Sequence, residues 1–478
     1  MVPPPARSAI VRWPLLAAGM TLALVTACGR ARPSADERVG VASTDFAHVA
    51  APSASVAPVA APPGGAPGAS ASGAPPAGSP GRAAKTHHVL LLLIDSLRWD
   101  MPWNGYPKPI APRLTKLAGE SVVYTHAYSV SSYTAQSVPA LLAGKYPTEL
   151  SRDGYFFTTW HPENVFFGER LGARGHRALS GHGHGYFDRK LGLAQGFDDY
   201  RLLPGTELDT KGVHDVTSER LVTLAKEMLS DPANTQLPEG KRFFAYFHFL
   251  DPHYMYYQHR DGPDFGLSPR GLYDGEVHHT DRWVGELLDW VWKQPFAEDL
   301  VVVISADHGE GFREHGRSRH AYELWDELIR VPLIVHFPGV TPRRIEVPRS
   351  HLDLAPTFAE LMGAPADPDL RGLSLVSELR GGTPAERPVL ADLTRNDLMD
   401  RRRALVWEGW KLLSFGDDKT IMLFDLEHDP TEQRDLARSR PEKLAELRAL
   451  YDRLSGEIRR VPATGLGPLL GAPPGQRW

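Results

Sequence analysis

The sequence predicts an α/β domain built on a largely parallel sheet flanked by helices. A small C-terminal α+β subdomain with an antiparallel sheet follows it. Three observations carry this. Val89-Leu90-Leu91-Leu92-Leu93-Ile94 is a continuous apolar run ending in Asp95, the pattern of a strand buried on both faces. Similar runs recur at Phe243–Phe249, Leu300–Ser305 and Val331–Val335, with helical patterns between them. After about residue 385 the segments become short and strand-like.

The helical segments are 112–120, 134–144, 213–230, 273–291, 322–328 and 352–361. In the C-terminal part, 388–392, 403–406, 410–415 and 421–425 read as strands. A helix over 442–454 follows, with Leu444, Leu447, Leu450 and Leu454 spaced by three and four. The expected division is 86–385 for the α/β domain, 386–460 for the subdomain and 461–478 for a Pro/Gly-rich tail.

The N-terminus reads as an export signal over 1–27. Arg7 and Arg12 precede Trp13–Ala27, an uncharged apolar stretch of fifteen residues. That is shorter than the roughly 20 residues a membrane span needs. The segment Val25-Thr26-Ala27-Cys28 resembles a bacterial lipobox, which implies a lipid on Cys28 and anchoring at the bacterial cell envelope. Gly29 is not acidic, so the outer membrane is the expected location. Residues 28–85 read as a linker, almost entirely Ala, Pro, Gly and Ser over 51–84, which cannot bury enough apolar surface to fold.

Cys28 is the one cysteine, which excludes a disulfide scaffold, a zinc knuckle and an iron–sulfur site. A net charge of −5 without a basic tract gives no footprint for nucleic acid. The histidines are more telling: His248, His253, His259, His278, His279, His308, His315 and His320 fall within one short stretch. Asp95, the 248–253 cluster and Asp307-His308 all sit at the ends of apolar strands. In a parallel sheet such ends share one edge, where ligands bind. Two carboxylates and one imidazole suit at least one divalent ion: calcium, manganese or zinc. Thr134 opens a helical segment, where the dipole favours negative charge. An ordinary N-cap is its bland alternative. His248, inside a buried strand, reads as structural; Arg98 reads as a brace for the loop after the first strand.

The segment Ser132-Tyr133-Thr134-Ala135-Gln136-Ser137-Val138-Pro139, continuing to Leu141-Leu142-Ala143-Gly144-Lys145-Tyr146-Pro147, resembles the nucleophile segment of the sulfatase family, within the alkaline-phosphatase superfamily. Ile94-Asp95-Ser96-Leu97-Arg98 and Ala306-Asp307-His308-Gly309-Glu310 are similar to its two metal motifs. Leu250-Asp251-Pro252-His253 resembles its substrate-histidine segment, and Leu423-Phe424-Asp425-Leu426 with Asp429-Pro430 its end-domain signature. The resemblance runs in family order over about 88–455 and implies an alkaline-phosphatase-like core.

The resemblance further implies that Asp95, Asp307, His308 and Thr134 hold the metal. It implies that Thr134 is the nucleophile, and that His253, His315 and His320 contact the substrate's anionic group. His253 or His320 would protonate the leaving oxygen. A second ion is open if His315 or His320 joins Asp251. The sequence also departs from the family. Thr134 stands where a Cys or Ser is converted to formylglycine, a conversion threonine cannot undergo; Gln136 replaces Pro, Val138 replaces Arg, and Ser96 replaces the second Asp of a pair. No Gly-Lys-Trp-His segment is found; Ser180-Gly181-His182-Gly183-His184 stands in roughly its place, without the lysine. The expected function is metal-dependent hydrolysis of a sulfate or phosphate ester on a glycan, lipid or small molecule through Thr134. A phosphoalcohol transferase and a non-catalytic binding protein are the alternatives.

Overall fold

The computed structural model describes residues 85–154, 158–206, 216–395 and 400–464. The signal segment, Cys28, almost all of the linker and the end of the tail lie outside the described residues. The principal strands are β1 (His88–Ile94), β2 (Val122–Tyr128), β3 (Arg177–His182), β4 (Asp199–Leu202), β5 (Phe243–Phe249), β6 (Leu300–Ser305) and β7 (Arg330–His336). The principal helices around them are α1 (Pro112–Gly119), α2 (Thr134–Ala143), α3 (Ser218–Ser230), α4 (Pro269–Val291) and α5 (Leu354–Leu361).

These strands form one sheet in the order β2-β7-β6-β1-β5-β3-β4, with the short strands Arg343–Ile345 and Arg349–Ser350 both pairing β2. The unbroken apolar run of β1 is explained by its place. It pairs in parallel with both β5 and β6 and is covered on both faces, so no position along it meets water. Leu90, Leu91, Phe244, Phe247, Val302 and Ile304 belong to the core that results.

β2, β3 and β4 were not singled out in the sequence; each is shorter or more polar than β1. The one antiparallel member among the long strands is β7, which runs opposite to both β6 and β2. Its sequence looks like the parallel strands because it too is buried on both faces. Its direction follows from its connection. A parallel neighbour needs a crossover helix, yet 306–329 contains only a single helical turn, Asp326–Ile329. The helix expected over 322–328 is thus reduced to that turn, and the segment stays on the sheet's carboxyl edge before β7 returns.

The C-terminal strands β8 (Val389–Leu393), β9 (Arg402–Trp407), β10 (Trp410–Phe415) and β11 (Thr420–Asp425) form an antiparallel sheet in sequential order. Helix α6 (Pro441–Gly456) packs on it through Leu447 and Tyr451. Among the described residues, no helix is long and apolar enough to cross a membrane.

Candidate active site

At the end of β1 the chain must turn sharply. Ser96 adopts the left-handed region (φ 59°), and the Asp95 amide donates to Phe249 O (2.9 Å), tying the ends of β1 and β5 together. The Ser96 hydroxyl folds onto Asp95 Oδ1 (2.8 Å), so this residue supports the carboxylate by a hydrogen bond. After β6, the Asp307 Oδ1 accepts the amides of Ser96 (3.2 Å) and His308 (3.0 Å). Two strand ends thereby place two carboxylates side by side.

His308 Nδ1 lies 2.9 Å from Gly309 O, which puts the ring proton on Nδ1 and aims the Nε2 lone pair inward. Nε2 lies 3.3 Å from Asp307 Oδ2 and 3.7 Å from Asp95 Oδ1. The Thr134 hydroxyl completes the group, 2.9 Å from His308 Nε2 and 3.4 Å from Asp95 Oδ2. Thr134 is the first residue of α2, and Tyr133 occupies the cap position. The bland alternative for Thr134, an ordinary N-cap, is not met: its hydroxyl faces the carboxylates instead of the helix amides.

Asp95, Asp307 and His308 are all buried and offer donor atoms within 4.8 Å of one another. Asp307 Oδ2 is buried without a hydrogen-bond partner. A buried carboxylate oxygen left unpaired is costly, and two oxygens with one nitrogen form a donor set suited to a divalent cation. The residues fit a metal ion. Burial pushes the Asp95 carboxyl up, but His253, His248 and His308 outweigh it and hold it well below the usual carboxylate range. Burial and the neighbouring Asp95 push Asp307 up, and burial pushes His308 down.

Beyond this group the imidazoles form a row. The His308 and His320 ring centroids are 4.2 Å apart, those of His320 and His253 5.1 Å, and those of His253 and His184 6.1 Å. Glu310 orients His320, its Oε1 lying 3.2 Å from Nδ1, and also accepts the Tyr256 hydroxyl at 2.7 Å. His184 comes from the segment without a lysine; burial pushes it down to about 3, so it is neutral. His182 stacks on Phe187 at 4.0 Å and is structural.

Three expectations are corrected. His248 is not merely structural: its Nε2 lies 3.3 Å from Asp95 Oδ2, and its Nδ1 2.7 Å from the Tyr246 hydroxyl. Its place one residue before the end of β5 was the available signal. His315 does not join His320. The hairpin around Gly316 carries it to the C-terminal side, where it stacks on Trp325 at 3.8 Å beside Glu327 and Glu432. Asp251 does not help to hold a second ion there: it accepts the amides of Thr217 (3.0 Å) and Ser218 (2.8 Å) at the start of α3. Arg98 braces the site as read, reaching Glu310 O (2.6 Å), Glu314 and Asp100.

The departures in α2 also find a place. Gln136 Oε1 accepts the Thr394 amide (3.0 Å), linking the helix to the end of β8, and Val138 is buried in the core. A family model described as Sulfatase matches residues 87–364, and one described as N-sulphoglucosamine sulphohydrolase, C-terminal, matches 314–459. The chain belongs to the sulfatase family. A choline-sulfatase of Rhizobium meliloti is 31% identical over 179 residues, 36% of this chain and 33% of that protein. An ulvan-active sulfatase of Formosa agariphila is 25% identical over 346 residues, 63% of this chain and 67% of that one. The chain thus spans a third of the first relative and two thirds of the second. Among solved structures, a 2-O GAG sulfatase superposes with a TM-score of 0.65 at 19% identity, over 79% of this chain and 95% of its own. A phosphonate monoester hydrolase from Silicibacter pomeroyi does so at 0.62 and 18%, over 78% and 96%. At these identities the two share its fold.

Proposed function

We propose that this sulfatase-family chain hydrolyses sulfate or phosphate esters through Thr134. The carrying observation is the Thr134 hydroxyl, 2.9 Å from His308 Nε2, set among Asp95 and Asp307 with Asp307 Oδ2 unpartnered. Relatives named choline-sulfatase and ulvan-active sulfatase support a sulfate ester. The threonine, which cannot become formylglycine, supports a phosphate ester equally.

Asp95, Asp307 and His308 would hold a divalent ion, which supplies charge that favours an ionised hydroxyl and an electron-poor ester centre. The residues of the chain do the rest. Thr134 Oγ1, its proton passing to solvent water, bonds to the sulfur or phosphorus as the bond to the alcohol oxygen breaks. His320, oriented by Glu310, supplies the proton that the departing alcohol takes. A water molecule then attacks the same centre and gives its proton to His320; the bond to Thr134 Oγ1 breaks and the hydroxyl regains a proton from solvent water. The start of α2 directs its positive dipole end at the anionic group.

The test is turnover of aryl sulfate, phosphate monoester and phosphodiester by the purified chain with Mn²⁺, Ca²⁺ or Zn²⁺. Thr134→Ala is expected to lower the rate by about 10³-fold or more, with thermal stability nearly unchanged because the hydroxyl caps nothing. Full activity in Thr134→Ala overturns the covalent route. Envelope attachment through Cys28 completes the proposal, on the strength of Val25-Thr26-Ala27-Cys28. Cys28→Ser is expected to release the protein from membrane fractions; unchanged fractionation refutes the anchor.

A further inference from the structure

A second histidine cluster lies away from Asp95 and Asp307. His259 and Asp261 belong to the loop between β5 and α4, and His279 projects from α4. The two imidazoles face each other, ring centroids 4.1 Å apart and nearly parallel at 15°. Donor atoms of all three residues lie within 4.8 Å of one another. His279 Nε2 is buried and has no hydrogen-bond partner, although nothing in its role in α4 calls for a polar group there.

The surroundings match those of a metal-ligating histidine. His259 Nε2 lies 2.9 Å from Glu276 Oε2, and Glu276 sits on α4 one turn before His279. A ring that gives one N–H to a carboxylate keeps its lone pair on the other nitrogen, the arrangement that outer partners impose on ligating imidazoles. Glu276 is itself buried and also accepts the Tyr257 amide, so the partner is fixed by the fold. On the solvent side Asp261 pairs with Arg282 at 2.7 Å, both more than half exposed. That pair can open at little cost, since water screens both of its exposed charges.

We propose that His259, His279 and Asp261 form a second divalent metal site, of the zinc class, that clips the loop 250–268 to α4. Two imidazoles and one carboxylate favour Zn²⁺, Ni²⁺ or Cu²⁺ over Ca²⁺ or Mg²⁺. Three protein ligands leave a fourth position for water. Tetrahedral donors about 2.1 Å from an ion stand about 3.4 Å apart, so the donors must draw together and one of the two stacked rings must turn until both lone pairs meet the ion. The exposed Asp261 and its loop have the freedom to do this. The clip bears on the active site because the same loop carries His253 and Tyr256, the latter bonded to Glu310.

The experiment is zinc stoichiometry of the purified full chain, loaded with ZnCl₂, desalted and analysed by mass spectrometry of the metal. Wild type is expected to retain two equivalents, and His279→Ala and Asp307→Ala one each by loss of different ions. The exposed Asp261→Asn carries no folding risk, and should weaken the loop-site equivalent by at least the about tenfold that loss of an outer partner costs. Zinc should also slow proteolysis within 250–268 in wild type and Asp307→Ala but not in Asp261→Asn. Retention by both His279→Ala and Asp261→Asn of everything wild type holds overturns the site. So does a wild-type chain whose entire zinc content disappears in Asp307→Ala. Neither result bears on turnover through Thr134, so the two proposals fail separately.

Discussion

Two buried acidic clusters, one at each end of the 306–329 segment, solve the same electrostatic problem in opposite ways. Asp326 and Glu432 are almost completely buried, and between them lies Lys411, its ammonium 2.8 Å from each. The chain supplies that cation itself, on β10. Asp95 and Asp307 are as deeply buried, yet among the described residues neither has a lysine or arginine partner. Their neighbours are imidazoles, backbone amides and one threonine. The fold buries a lysine beside carboxylates at one place and imidazoles at the other. On the function proposed above, the difference between the clusters is the difference between a structural pin and a reactive centre.

The sharpest break of this comparison is Lys411→Met. It leaves Asp326 and Glu432 buried without their cation, and stability should fall by about 3–5 kcal/mol. Calorimetry or denaturant titration reads this, and a loss below about 1 kcal/mol would remove the pin from the argument. Asp307→Asn should behave in the opposite sense. In metal-free protein it relieves a repelling, unpaired carboxylate while keeping the Oδ1 that accepts two amides, so the midpoint should rise by the equivalent of about 1–3 kcal/mol. With a divalent ion at about a hundred times its Kd, wild type should gain about 2.7 kcal/mol and close most or all of the gap to the variant. An equal shift in both proteins would mean that the ion does not use Asp307.

The third effect is a pH dependence. Burial and Asp326 push Glu432 up to about 8, against the opposing pull of Lys411. One lysine serves two acids, and the folded state keeps a proton that the unfolded chain releases near 4.5. The associated stability is fully present below that lower value and is lost as pH rises through about 8, with a slope of at most about 1.4 kcal/mol per pH unit. Glu432→Gln should flatten the wild-type curve over that interval when the two are compared by thermal unfolding. A parallel pair of curves would show that Glu432 is ionised throughout.

Much of this was legible in one dimension. The apolar run closing on Asp95, the Asp307-His308 pair and Thr134 at a helix start follow from local pattern, because burial on both faces and helix geometry are local constraints. The four C-terminal strands lie within one or two residues of their expected limits for the same reason. What could not be read was direction and partnership. Nothing in 330–336 distinguishes an antiparallel strand from a parallel one, since both are equally apolar; only the lack of a crossover helix before it decides. Nor can adjacency in sequence tell His315 from His320. A single turn at Gly316 sends one to Trp325 and leaves the other beside His308. His248 shows the converse, a residue taken for core that packing brings to Asp95. By itself the sequence determined which reactive groups the chain carries at its strand ends, because residue types and strand patterns are written there. The tertiary structure alone decided which of those groups meet, because separations of a few ångströms are set by loops and packing from distant parts of the chain.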